Sequence, residues 1–301
     1  MRGDTRQAER TRARIASALR AGAGAVWLVV GVCALIGDLV HPVLRPDGGA
    51  AHTTVIVVMW LAYVLVLAAI VLPGPRALTV VRIGVPAGAL LVALAPSYEP
   101  AVVVGLAAGL LGAVVVVQPA YAEAQVDASS YGDERRFLLR PPAPVIGALV
   151  APLWGISVAG VAAGPVLLAD QGWAAGIAAA SVGLPAAALA AHSLFRLALR
   201  WLVFVPNGLV VHDHLAVAEP LPLGRRSVAS IGPARADTAA TDLTAHAFGM
   251  ALELRLAEPV KAGVRIGRNH SEERSLTALL VSPSRPAAAL ATAERRGLEI
   301  A

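Results

Sequence analysis

The chain is poor in charge, poorer in lysine and almost without cysteine. Charged residues make up 15% of its 301 residues, apolar residues make up 57%, and mean hydropathy is +0.68. That balance excludes an ordinary soluble domain. Lys261 is the only lysine among 25 lysines and arginines, and with the heavy use of Ala, Val and Gly it points to a high-GC bacterial genome of actinobacterial type. The single cysteine, Cys33, excludes an intrachain disulfide and a thiolate metal cluster, and reads as a small buried apolar residue. Several catalytic signatures are missing too. There is no glycine-rich phosphate loop with its lysine, no Gly-x-Ser-x-Gly elbow, no His-Glu-x-x-His pair and no dinucleotide fingerprint. These absences leave a membrane enzyme or a carrier open, but they point to no cofactor and no metal.

What the chain does have is long apolar runs. A helix needs about 20 apolar residues to cross the hydrocarbon core of a bilayer. Six stretches meet or approach that length: 21–40, 53–72, 77–95, 101–120, 145–169 and 173–199. The first is too long for a signal-peptide core and is followed by further spans, so it reads as a retained membrane helix. Small residues spaced four apart (Gly84/Gly88, Gly105/Gly109, Gly160/Gly164, Gly172/Gly176) suit close helix packing in lipid and leave a homo-oligomer open. Prolines 86, 152, 165 and 185 lie within spans, where kinks are expected.

The net charge of +5 and the pI near 10.1 do not read as a nucleic-acid footprint. The arginines sit in the basic tail 1–20 and beside the apolar runs, where they act as topology signals. One side would hold that tail, Arg76, the loop with Arg135, Arg136 and Arg140, and the end of the last span with Arg196 and Arg200; the other holds Arg45. The asymmetry places both termini and loop 121–143 in the cytoplasm of a bacterial inner membrane. Arg82, about one turn inside the third span, can snorkel to the same face.

Beyond residue 200 the pattern changes to strands. Trp201–Val205, Asn207-Gly208 and Leu209–His212 read as a hairpin with a type I′ turn. Ser227–Ile231, Phe248–Leu256, Val260–Ile266 and Leu276–Val281 are further strands, with Phe248, Met250, Leu252, Leu254 and Leu256 sharing one face. Ser284 as cap, Pro286 in the first turn and Gly297 as stop delimit a closing helix over Ala287–Arg296. The expected architecture is therefore a tail 1–20, a six-helix transmembrane domain 21–200 and a small β-rich domain 201–301.

Residues from Arg200 onward resemble the bacterial PH-like domains of membrane proteins. The matching features are Arg200-Trp201 closing a membrane helix, Gly208-Leu209-Val210-Val211 opening a second strand, and Pro222-Leu223 followed by Val228-Ala229-Ser230-Ile231. The last is Val281-Ser282-Pro283-Ser284-Arg285-Pro286 leading into the closing helix. The resemblance covers the last third of the chain and implies a PH-like fold. It does not transmit a ligand.

Candidate functional residues fall into four groups. Asp38 and His41 lie three apart near the outer end of the first span; with His52 and Glu99 they form an outer-face polar cluster suited to sharing a proton or a cation, or merely to sitting among headgroups. Gln118 and His192 are intramembrane polar residues that either carry function or hydrogen-bond a neighbouring helix. Arg225, Arg226, Arg265 and Arg268 are candidate contacts to anionic lipid, although the 202–301 region has nearly balanced charge. His212 and His214, with His246 or His270, invite a zinc reading that no ligand spacing supports. The segment Arg135–Pro142 is expected either as a topological signal or as a short amphipathic piece lying in the interface.

The reading that follows is a non-enzymatic accessory or scaffold protein of the membrane. Its partners are the bilayer and a protein bound through residues 201–301, and nucleic acid is not among them. The alternatives are a small-solute transporter and a membrane enzyme acting on lipid at the outer face.

Overall fold

The computed structural model describes residues 2–36, 50–95, 99–267 and 270–301. The helices are α1 (Arg2–Ile36), α2 (Ala50–Val71), α3 (Pro75–Ala93), α4 (Pro100–Val117), α5 (Pro119–Asp127), α6 (Ala143–Ala148), α7 (Val150–Ala169), α8 (Trp173–Leu197) and α9 (Pro286–Arg295). The chain divides into two units. A helical unit takes residues 9–125 and 150–195, and a sheet unit takes residues 1–8, 126–149 and 196–301.

In the helical unit, five stretches among the described residues are long and apolar enough to cross a membrane: Ala13–Ile36, Pro75–Ala93, Pro100–Val117, Val150–Ala169 and Trp173–Leu197. Between the first two lies α2, whose described apolar stretch, Ile56–Val71, is shorter. The fourth expected span ends sooner than expected. Pro119 disfavours helical backbone at the preceding residue, and Gln118 is extended, with ψ 137°. The fifth begins later, at Val150, after a break at Leu149. Pro152 supplies no N–H for the carbonyl of Ala148, and its ring crowds that carbonyl, so α6 and α7 separate there. Pro86, Pro165 and Pro185 are carried inside continuous helices.

Small residues set the packing. A Cβ at Gly160 would run into the carbonyl oxygen of Gly183, and one at Gly164 would lie 2.8 Å from the Ala180 Cβ, so α7 and α8 meet backbone to backbone. Aromatics close the rest. Trp27 of α1 stacks on Tyr63 of α2 at 5.2 Å, and each donates to the other's carbonyl, at 3.1 and 3.2 Å. The Trp154 indole of α7 donates to Ile83 O of α3 at 3.1 Å. Each polar tip thus finds an acceptor inside an apolar bundle.

The sheet unit holds two sheets. The first is an antiparallel meander of β1 (Arg135–Leu138), β2 (Trp201–Val205), β3 (Gly208–His212) and β4 (Leu221–Gly224). The second contains β5 (Val228–Pro233), β6 (Thr241–Asp242), β7 (Leu252–Arg265) and β8 (Ser271–Val281), in the order β5-β7-β8-β6. A short 3-10 turn at Arg225–Ser227 links the sheets, and α9 follows β8. Phe137, Leu202, Phe204, Leu209, Leu252 and Leu279 belong to one buried core.

The strand β1 replaces the interfacial piece expected for Arg135–Pro142. It pairs with β2 in the register Arg136↔Val203 and Phe137↔Leu202, although α7 and α8 lie between them in the chain. Alternation explains the role. Phe137 and Leu139 face the core at 0% and 2% exposure, while Arg136 takes the other face and stacks over Trp201 at 5.1 Å. The Phe137 ring meets Phe204 edge-on at 5.6 Å.

Three local expectations are corrected. The β2–β3 turn is Pro206-Asn207, because Val205 pairs with Gly208. Pro206 holds φ negative, which a type I′ turn does not allow. The expected strands 248–256 and 260–266 are one strand, β7, with a register shift between Arg255 and Val260; Phe248 and Met250 precede it and are exposed. Arg285, not Ser284, is the N-cap of α9, and the Ser284 N–H instead donates to Leu138 O of β1 at 2.7 Å.

Candidate functional site

The most tightly built polar site is where the chain leaves α8 for the first sheet. The pairing Trp201↔His212 places Arg200, just before β2, next to Asp213, just after β3. Arg200 Nε donates to Asp213 Oδ1 at 2.7 Å and its Nη2 donates to Oδ2 at 2.6 Å. Its Nη1 donates to Arg140 O at 2.8 Å, and Asp213 Oδ1 also accepts the Leu215 N–H at 3.0 Å. Both side chains are essentially fully buried, at 1% and 0% exposure. A forked guanidinium on a carboxylate is the geometry that tolerates burial. The pair joins the exit of β1, the start of β2 and the end of β3. It is a closed latch, with neither group offered to a ligand.

Beside it, His212 stacks on Trp201 at 5.2 Å, and its Nδ1 lies 3.0 Å from Leu199 O. With Arg136 on the same indole, three side chains form a ladder across β1, β2 and β3. His214 is half-buried. Burial first, then the Arg196 charge, push its imidazole below the ordinary value.

A shallow recess of about 330 Å³ lies on the second sheet, between segment 235–240 and the strands β7 and β8. Glu253 forms its most buried wall. Its Oε1 accepts from Arg255 Nε at 2.8 Å, and that bond, outweighing burial, holds the carboxyl below the usual range. A carboxylate kept ionised and paired in this way is placed as a hydrogen-bond acceptor and not as a general acid. On α5, Tyr121, Glu123 and Gln125 are buried, and Gln125 Nε2 donates to the Tyr121 hydroxyl at 2.8 Å. The latch partner Asp213, this recess and the α5 group were not anticipated as sites from the sequence. Only the latch had a signal there, a charged residue at each end of a well-marked hairpin.

The residues singled out from the sequence are scattered. Asp38, His41 and Arg268 lie outside the described residues. His52 falls on the first turn of α2. Glu99 is exposed and is the N-cap of α4, with no capping bond from its side chain. Gln118 is the C-cap of the same helix. His192 is exposed on α8, with a tilted ring contact to Phe195 at 6.3 Å. Arg225 donates to Gly297 O at 3.1 Å, Arg226 is exposed, and Arg265 Nε reaches Val217 O at 3.4 Å. Of the histidines weighed for zinc, His212 is engaged with Trp201, and His246 lies 3.7 Å from Asp242. Among the described residues no group of three or more His, Cys, Asp or Glu is placed to hold a metal ion. No protein-family model, curated protein or solved structure matches this chain.

Proposed function

We propose that the chain is a six-span protein of a bacterial inner membrane with both termini in the cytoplasm. Its PH-like domain works as a non-enzymatic scaffold, binding a protein partner or the membrane surface. The observation that carries this reading is β1. A strand taken from the connection between two apolar helices is built into the first sheet, so the sheet unit is assembled from chain on both sides of the α7–α8 pair. That suits a resident domain that folds only together with its helices and serves another molecule as a scaffold. The meander of four strands, the meander β5-β7-β8 and the closing helix support the PH-like assignment. The α2 stretch supports a sixth span once residues upstream of Ile56 are counted. The arginine asymmetry supports the orientation. The β1–β2 pairing adds to it, because the two strands must share one side of the membrane.

Topology is tested with cysteines introduced at 130 and at 171, in the α7–α8 turn, in intact cells. An impermeant thiol reagent should reach 171 only; labelling at 130 alone sinks the orientation. Function is tested with a photo-cross-linker placed at exposed position 274 in native membranes. A discrete protein adduct that disappears with Phe137→Asp supports the partner arm, and lipid adducts support the surface arm. If neither forms, and Gln118→Ala or His192→Ala abolishes solute uptake in a reconstituted system, the scaffold reading gives way to a transporter.

A further inference from the structure

Segment 245–250 exposes large apolar side chains and is held in a strained shape. Phe248 is 70% exposed and Met250 44% exposed, the two largest apolar side chains of the segment. Ala245 and His246 both adopt positive φ, 53° and 60°, and Gly249 follows at 92°. Two adjacent non-glycine residues in the left-handed region are costly, and they persist only where the surroundings hold them. The surroundings do so here. Arg140 Nη1 donates to both Phe248 O and Met250 O at 3.1 Å, and Ala143 N–H donates to His246 O at 3.3 Å. On the other side, Asp242 Oδ1 accepts the Thr244 N–H at 2.7 Å and its hydroxyl at 2.6 Å. The loop is built to keep Phe248 and Met250 out of the core.

We propose that this loop is a bilayer-contacting tip, with Phe248 and Met250 seated at the boundary between headgroups and acyl chains. The inference rests on the membrane-spanning reading of α7 and names the lipid surface as what the sheet unit binds at this place. Chain connectivity selects lipid. Arg140 and Ala143, which grip the loop, lie just ahead of Val150, where α7 begins. The seven residues from Ala143 to Val150 cover about 10 Å as helix and at most about 25 Å extended, so the loop cannot stray far from the point where the chain enters the membrane. The linking segment is itself apolar and exposed, with Ile146 at 45% and Leu149 at 49%. Arg140 places a cation beside the tip, where it can meet lipid phosphate while its stem lies along apolar surface. An aromatic and a methionine held by an arginine, itself ten residues ahead of α7 in the chain, combine the apolar and cationic groups that the interface takes.

The test uses the full chain in lipid nanodiscs, with Cys33→Ser as background and an environment-sensitive fluorophore on single cysteines. Phe248→Cys and Met250→Cys should give blue-shifted emission, strong quenching by lipids carrying a nitroxide near the headgroup, and loss of quenching by aqueous iodide. Asp237→Cys, on exposed segment 235–240, should behave in the opposite way. Val161→Cys on α7 reports the underlying reading: if nitroxide lipids fail to quench it, the span itself is wrong. If 161 is quenched while 248 and 250 stay open to iodide, the tip does not touch lipid and the proposal is overturned. Shielding of 248 from both quenchers means that a protein surface covers it, and that outcome also overturns the proposal.

Discussion

Replacing Phe137 with alanine should weaken the sheet unit from a point two long apolar helices away in the chain. The side chain is completely buried, packs edge-on against Phe204 at 5.6 Å and belongs to the same core as Leu202 and Leu252. Truncating a buried phenylalanine costs about 3–5 kcal/mol, and the aromatic pair is included in that figure. Domains of this size are stable by about 5–15 kcal/mol, so the variant would lose a large share of its stability. Hydrogen exchange of the full chain in detergent reads this directly. For core amides of β2, β3 and β7 that exchange through global opening, each 1.4 kcal/mol is tenfold, so protection should fall by roughly a hundred- to a few thousand-fold. Phe248→Ala, at an exposed position, should leave the same amides unchanged. The excised stretch 201–301 should behave like the Phe137 variant, because it lacks β1 altogether. If that fragment protects the β2 amides as well as the intact chain does, β1 is no part of the fold and the reasoning fails.

Three further outcomes are expected. Either Arg200→Met or Asp213→Asn alone should cost about 3–5 kcal/mol, since each leaves a buried group unpaired, whereas the double change to apolar residues should cost less than the sum, as measured by thermal unfolding. His214 binds its proton less readily in the fold than in the unfolded chain, whose value is about 6.5. Stability of the sheet unit is therefore full above about pH 6.5 and declines as pH falls through the lower folded value, and His214→Gln should flatten that limb of the melting curve. Gly160→Val should lower the melting temperature of the detergent-solubilised protein because the added carbons meet the Gly183 carbonyl, while Gly155→Val, with open space around it, should be neutral.

The parts legible in the sequence were those decided by neighbours along the chain. β2 was placed to the residue, because Trp201–Val205 is a compact apolar run bounded by Pro206. The five apolar helices were legible for the same reason: length and hydropathy are properties of the segment itself. β1 was not. Arg135 and Arg136 ahead of Phe137-Leu138-Leu139 look like a topology signal, and only pairing with Leu202 and Val203, across two intervening helices, makes them a strand. The turn was misplaced by one residue because Asn207-Gly208 is a strong local signal, while Val205↔Gly208 pairing is set by the register of the whole hairpin. The latch was half visible. Arg200 stood out beside Trp201, but nothing local says that Asp213 would be its partner. Strain at Ala245 and His246 has no sequence signature, since alanine ordinarily avoids positive φ and a lone histidine is a weak signal for it.

The pairing of β1 with β2 also sets an order of events during synthesis. β1 leaves the ribosome well before its partner, and Phe137 has neither Leu202 nor Phe204 to pack on until the two long apolar helices α7 and α8 have been made. The first sheet closes only if that pair brings the chain back to the side where β1 was left. Completion of the first sheet is thus the last local event to depend on β1, and it comes only after both intervening helices have been made.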